Sequence, residues 1–362
     1  MKLTQLETYT LGHLSLVRAR TEDGAEGWGQ MAPYNADISA QVFHRQVAPT
    51  VLGRDTDDVD ALVDLCLEAH YKFTGSYLCR AIAGLDTALW DVKARRAGKS
   101  VCELLGGRPR AVPVYGSSMR RDIQPDAEAA RMVRLRDEQG FRAFKCRVGS
   151  RMGHDADQWP GRTEQLLPAL RKALGPSVSL FADANGAYTP QKAIAVGRLM
   201  EQQDLCHYEE PCPYPEIESS AEVAAALQVP VAGGEQDYSL AQWRRIVSLP
   251  AVDIVQPDIC YLGGLSCTLR VARMAAEKGM PCTPHCANTS LIAVFTLHLL
   301  GAIPNAGPFM EHSIEPTPWT EGLFSPALKV RDGALAIPDG PGWGVEISRA
   351  WLEKAERREC SR

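Results

Sequence analysis

The sequence predicts an α/β protein: a TIM-type (β/α) barrel of modified, (β/α)7β-like form, with an α+β capping domain made from the N-terminal third and the C-terminal tail. Three observations lead there. A strand meander followed by helices occupies the first 111 residues, short apolar strands then alternate with amphipathic helices, and charged residues collect at the C-terminal ends of those strands.

In the first region (1–111), Leu3 to Thr10, Leu14 to Arg20 and Gly27 to Met31 read as strands, with Glu22-Asp23-Gly24 turning between the last two. Helical spacing follows over Ile38 to Val51, Val59 to Tyr71 and Tyr77 to Arg96. In the last of these, Ile82, Leu85, Ala88, Leu89 and Val92 share one face. Gly106-Gly107-Arg108-Pro109 breaks the chain, and the barrel is expected over 112–325. Its eight strands are expected at Val112–Tyr115, Ala143–Val148, Val178–Ala182, Cys206–Glu209, Val231–Ala232, Val252–Gln256, Pro281–Thr283 and Pro308–Glu311. About seven helices fall between them, among them Pro125–Gln139, Arg162–Leu174, Pro190–Gln202 and Leu265–Lys278. A doubly wound open sheet is the competing architecture, but no Gly-X-Gly-X-X-Gly follows the first strand. Alternation fades after Pro316 and Gly340-Pro341-Gly342 reads as a loop. Residues 326–362 are therefore expected to return to the cap, through a strand at Gly344 to Ile347.

Composition narrows the class. The 362 residues are 45% hydrophobic and 23% charged, with a formal net charge of −5, the balance of a soluble globular chain. No run reaches the roughly 18 apolar residues of a membrane span, and Met1 to Thr10 has no signal-peptide pattern. Basic residues are scattered, which disfavours nucleic acid as a partner. Eleven dispersed cysteines suit reduced thiols in a cytoplasm better than a disulfide framework. Cys282, His285 and Cys286 form the one tight cluster, but no second ligand pair stands at zinc-site spacing.

Barrel enzymes carry their reactive groups at the C-terminal strand ends. Those positions hold Lys145 and Arg147 on the second barrel strand, Asp183 on the third, Glu209 on the fourth and Glu235 on the fifth. Asp258, His285 and Glu311 end the last three. Asp183 to Glu209 is 26 residues, and Glu209 to Glu235 is again 26, which predicts carboxylates at equivalent heights on three adjacent strands. A single acid there is usually a helix cap or a solvated loop residue. Three converging anions instead call for a hard, oxygen-ligated divalent cation, Mg²⁺ with Mn²⁺ as a substitute.

The ordered set of motifs resembles the enolase superfamily. Asp183-Ala184-Asn185, Glu209-Glu210-Pro211 and Gly234-Glu235 look like its three metal-ligand motifs. Gln256-Pro257-Asp258 and Pro284-His285 look like the Asp–His dyad of the mandelate racemase subgroup. Ala83 to Asp91 resembles its N-terminal signature and Gly27-Trp28-Gly29 its early hairpin. The resemblance runs from about residue 1 to 347. It implies a small-molecule carboxylate substrate whose α-proton is removed to give a metal-stabilised enolate, and it implies a homo-oligomer.

Within that resemblance His285 is the expected base, with Asp258 holding its tautomer. Lys145 would add positive charge beside the substrate carboxylate, and a protonated Glu311 would hydrogen-bond to the enolate. Asn185, Tyr34 and Lys72 are expected to touch substrate. The last two lie on the cap loops Gln30 to Asp37 and Tyr71 to Ser76, which also carry Met31, Asn35, Phe73 and, just beyond, Arg80. The subgroup commonly has Lys-X-Lys on the second strand; here the motif is Lys145-Cys146-Arg147. Arginine stays protonated, so Arg147 is a poor second base. Racemisation needs bases on both faces, whereas dehydration manages with one group that acts first as base and then as acid. The expectation is an acid-sugar dehydratase. A racemase, epimerase or cycloisomerase of the same superfamily, and an inactive ligand-binding barrel, remain as alternatives.

Overall fold

A computed structural model describes residues 1–361. The chain opens with a meander, β1 (Leu3–Leu11), β2 (Leu14–Thr21) and β3 (Glu26–Gln30), followed by helical segments that end in the long cap helix Ser76–Arg96. Next come the barrel strands β4 (Ala111–Ser117), β5 (Ala143–Arg147), β6 (Ser179–Asp183), β7 (His207–Glu209), β8 (Val231–Gly233), β9 (Ile254–Val255) and β10 (Met310–Ser313). Short strands β11 (Phe324–Ser325), β12 (Ala334–Ala336), β13 (Glu346–Ile347) and β14 (Glu356–Ser361) make up the tail. The barrel strands are parallel, in the order β10-β4-β5-β6-β7-β8-β9. Between β9 and β10 the expected seventh stave is reduced to a bridge, with Cys282 pairing Val255 on one side and Ala306 on the other. Seven helices connect the eight staves, from Pro125–Gln139 to Leu291–Leu300.

The cap sheet runs β14-β1-β2-β3 and is antiparallel throughout. The tail strand that joins it is therefore β14, not the expected Gly344 to Ile347, whose β13 pairs β11 instead. The reason lies in charge. Glu356-Arg357-Arg358-Glu359 has no apolar alternation to read, and its docking rests on buried Glu7, which accepts from both Arg18 and Arg357. Burial opposes ionisation of Glu7, but the two guanidiniums outweigh it and hold its carboxyl below the usual range.

The cap and barrel are joined by the motifs that first drew attention in the sequence. Gly29 lies so close to the long cap helix that a Cβ would stand 2.4 Å from Ala88 N and Gly84 O, and one on Gly27 would stand 2.5 Å from Ala88 O. Only glycine permits that approach. Asp86, on the barrel-facing side of the helix, accepts from Leu265 N at 2.5 Å, at the start of the barrel helix Leu265–Ala276. Trp90 Nε1 donates to Ser266 there at 3.0 Å. A carboxylate at a helix N-terminus satisfies amides that have no partner in their own helix. Asp91 accepts from Trp28 N and Trp343 N, tying hairpin and tail to the same helix. Gln30, at the end of β3, donates to Ser290 Oγ and accepts from Leu291 N, fixing the root of the first cap loop to the barrel.

Candidate active site at the C-terminal strand ends

Strand register sets the floor of the site. Arg147 lies opposite Asp183, and Asp183 opposite Glu209, across β5, β6 and β7. Glu209 then pairs Ala232, so Glu235 lies three residues beyond the height of the other two. The equal spacing thus predicts equal height for the first pair and misses it for the third. The bend is made at Gly234, whose φ is +99° and whose Cβ would stand 2.3 Å from the Trp243 ring.

The acids meet two cationic side chains and one amide. Lys145 Nζ, fully buried, is 2.5 Å from Glu209 Oε1, 2.8 Å from Glu311 Oε1 and 3.5 Å from Asp183 Oδ2. Burial works against its charge, but Glu209 and Glu311 prevail and hold its ammonium well above the ordinary lysine range. Arg147 pairs with Asp183 and donates to Asn185 Oδ1 at 2.6 Å. Gln256 Nε2 donates to Glu209 Oε2 at 2.8 Å. Burial is again opposed at Glu209, where Lys145 leads the groups that keep it ionised.

On the opposite side, His285 Nδ1 is 2.7 Å from Asp258 Oδ2, and Asp258 Oδ1 accepts from Cys260 N and Tyr261 N. With Nδ1–H donating to Asp258, Nε2 is the free basic atom, 3.4 Å from Glu235 Oε2 and 4.0 Å from Glu311 Oε2. Burial disfavours the imidazolium, but Glu235, Asp258 and Glu311 raise it to about 10. A cation among those acids would oppose that rise.

Glu311 differs from the expectation of a protonated acid. Ser117 Oγ at 2.8 Å, Cys286 N at 2.8 Å and Lys145 all donate to it. Against the opposing effect of burial, chiefly Lys145 brings its carboxyl down to about 2. It is an anion that anchors Lys145. Glu210 has the reverse character: buried, at φ +41° and with Oε1 unpartnered, it is pushed well above the usual range by burial and by Glu235 and Glu209.

Among the described residues, no trio of acid, histidine or cysteine side chains is drawn together to metal-coordinating distance. Asp183 and Glu209 turn to Arg147 and Lys145, and Glu235 to His285. The donor chemistry nonetheless fits a hard divalent ion. Asp183, Glu209 and Glu235 are all oxygen donors, all buried, and burial together with Glu209 raises the Glu235 carboxyl in a way that a nearby cation would relieve. Cys282 and Cys286 offer less to a metal, since burial pushes the Cys282 thiol to about 12 and that of Cys286 well up.

Asn185 joins the floor directly: its N donates to Asp183 Oδ1 at 2.7 Å. The two cap residues do not. Tyr34 lies tilted against His13 and Trp319, with centroids at 5.1 and 6.0 Å, and Lys72 Nζ sits over the exposed Tyr71 ring at 5.7 Å. Neither shares a hydrogen bond with the strand-end cluster among the described residues. Arg121, in the loop after β4, donates to Asn185 Oδ1 at 2.7 Å and is not among the residues that the sequence marks out. Its only signal was a basic pair, Arg120-Arg121, just past a strand end.

The Enolase C-terminal domain-like model matches residues 127–351, and the model of the mandelate racemase / muconate lactonizing enzyme N-terminal domain matches 3–106. The chain belongs to the enolase superfamily. Among curated relatives it is 31% identical to arabinonate dehydratase of Saccharolobus solfataricus, over 92% of this chain and 88% of that protein. It is 33% identical to L-talarate/galactarate dehydratase of Salmonella typhimurium, over 93% and 82%. It is 29% identical to D-galactarolactone cycloisomerase of Agrobacterium fabrum, over 96% and 97%. Among solved structures, a candidate racemase from Roseobacter denitrificans superposes with a TM-score of 0.98 at 52% identity, covering both chains fully. The Salmonella typhimurium talarate/galactarate dehydratase liganded with Mg and L-lyxarohydroxamate superposes at 0.86 with 28% identity, over 100% of this chain and 95% of that one. These three curated relatives of this superfamily enzyme are two acid-sugar dehydratases and a cycloisomerase, and the Roseobacter chain is named as a candidate racemase.

Proposed function

We propose that the protein is a divalent-metal-dependent acid-sugar dehydratase, with Asp183, Glu209 and Glu235 as ligands of Mg²⁺ and His285 as base and then acid. The observation that carries this is an asymmetry. One face offers an imidazole with its Nδ1 fixed on Asp258 at 2.7 Å and its Nε2 left as the free ring nitrogen; the strand positions opposite offer Lys145, held between Glu209 and Glu311 at 2.5 and 2.8 Å, and Arg147, paired with Asp183. A single base cannot remove and return a proton on opposite faces, but it can serve a β-elimination.

When bound, the metal ion would hold the substrate carboxylate and stabilise the charge that develops as the α-proton leaves. His285 Nε2 takes that proton, and Asp258 stabilises the imidazolium so formed. Lys145 Nζ donates to the substrate carboxylate and is aimed by Glu311. The electron pair of the broken C–H bond becomes a C=C bond and expels the β-hydroxyl, which departs as water with the proton returned by His285. The resulting enol tautomerises to a 2-keto-3-deoxy acid.

Likeness to the candidate racemase at 52% identity favours a second reading, an epimerase. Incubation with Mg²⁺ and a panel of sugar acids separates the two. The dehydratase yields a keto acid; appearance of the 2-epimer without keto acid would establish the other reaction.

A further inference from the structure

Three arginines crowd these strand ends, Arg121 in the loop after β4, Arg147 closing β5 and Arg162 opening the helix that follows β5, and among the described residues only one of them has an acid partner. Arg147 takes Asp183, the carboxylate that the proposed function assigns to metal. Arg162 is fully buried, donates to Arg147 O at 2.8 Å and Arg120 O at 3.4 Å, and leaves Nε without an acceptor. Arg121 is half-buried; Nε reaches Gly149 O at 3.0 Å and Nη2 reaches Asn185 Oδ1 at 2.7 Å. Its Nη1 has no acceptor among the described residues and is not sealed from solvent. Nearby acids are committed elsewhere: Asp122 pairs with Arg120, and Asp157 accepts from Thr163 N and Gln158 N.

Such sparing of counter-ions is not this protein's habit. Arg18, Arg95 and Arg131, equally half-buried, each have a carboxylate, namely Glu7, Asp91 and the Glu128–Glu315 pair. Taking a guanidinium out of water without an anion is costly. The cost shows at Arg121, where burial first, then Arg147 and Arg162, bring the group down to about 10. A ligand anion would remove that cost, and a planar guanidinium presents a fork suited to a carboxylate.

Position fixes which anion. Arg121 and Arg147 share the same Asn185 oxygen, and Arg147 in turn holds Asp183. Arg121 therefore lies three hydrogen-bond steps from the proposed metal floor, within roughly 8 Å, the reach of a six-carbon chain whose first carboxylate sits at that floor.

We infer that Arg121, supported by Arg147, binds a second carboxylate on the substrate, so that the acid sugar is a dicarboxylate rather than a monoacid. The inference rests on the acid-sugar reading above, and its tests separate the two. Turnover with Mg²⁺ is compared for a sugar diacid and the aldonic acid of the same configuration. The diacid should be preferred about 100-fold in kcat/KM, a value in keeping with one close charge pair. Arg121→Met should collapse that ratio through KM, and Arg121→Lys should restore part of it. Equal turnover of the two acids, or a ratio unchanged in Arg121→Met, overturns the inference and leaves the dehydratase reading standing. Should neither acid react, the reaction fails but the anion site is still decided by calorimetry. The Mg²⁺-loaded protein should bind adipate, an unreactive six-carbon diacid, at least about tenfold more tightly than hexanoate, and Arg121→Met should abolish the difference. Equal affinities in the unaltered protein would overturn it.

Discussion

At the strand ends, Lys145, Asp183, Glu209 and Glu311 are wholly shut from solvent and every one has a charged partner. In the cap loops above, Tyr34, Tyr71 and Phe73 stand 53%, 67% and 73% exposed. The two regions are held on different terms. Side chains on paired strands inherit their positions from backbone register, which suits chemistry that depends on tenths of an ångström. Side chains on loops are held by few contacts and can change with little cost to the fold, which suits selection among substrates. Between the two lies the seam of Gln30, Asp86, Trp90 and His298, whose hydrogen bonds join cap to barrel.

Substitutions graded across these regions can break or sharpen that contrast. The largest effect is expected at the floor. Lys145→Met leaves Glu209 and Glu311 without their common cation, at a cost on the order of 3–5 kcal/mol in urea unfolding. Added Mg²⁺ should recover more stability in the variant than in the parent. A variant as stable as the parent would mean that the buried acids are not held by Lys145.

Next comes the seam at His298, whose Nδ1 accepts from Cys102 N at 3.1 Å and whose Nε2 faces Trp343 O at 3.0 Å. Burial outweighs the Trp343 carbonyl and lowers this histidine from 6.5 to about 4. It folds neutral, while the unfolded chain takes up a proton below about 6.5. Its contribution is therefore present above that pH and lost as pH falls toward 4, by about 3 kcal/mol. Melts of the protein and of His298→Gln should converge over this range; a constant gap would place the histidine outside the titration.

Gly29→Ala forces a methyl against the backbone of the long cap helix and should cost about 1–3 kcal/mol, read as a lowered urea midpoint. The smallest effect belongs to the loops. Phe73→Ala should stay within about 0.5 kcal/mol of the parent while changing KM for sugar acids, and a large loss of stability would show the loop to be part of the core.

Legibility in the sequence followed the same division. Alternating apolar strands and helices announced the barrel because each stave must bury both faces, and the 26-residue steps exposed Asp183 and Glu209 as strand-mates. Glu235 was found but not its height, which depends on the left-handed bend at Gly234. The tail strand β14 escaped because its docking uses Glu7–Arg357 rather than an apolar stripe. Glu311 was found in place, but its ionised state depends on Lys145 and Ser117 from other strands. Arg121 is marked in the sequence only as half of a basic pair, because its link to the strand ends runs through Asn185, 64 residues away.

The most direct test of the one-base account is exchange of the substrate α-proton in D₂O, followed by proton NMR with Mg²⁺ present, in the parent and in His285→Asn. His285→Asn should lose both exchange and water loss by about 10²–10⁴-fold while still binding Mg²⁺. Exchange or water loss that survives His285→Asn at the parent's rate would contradict the one-base account and place the base elsewhere at the barrel mouth.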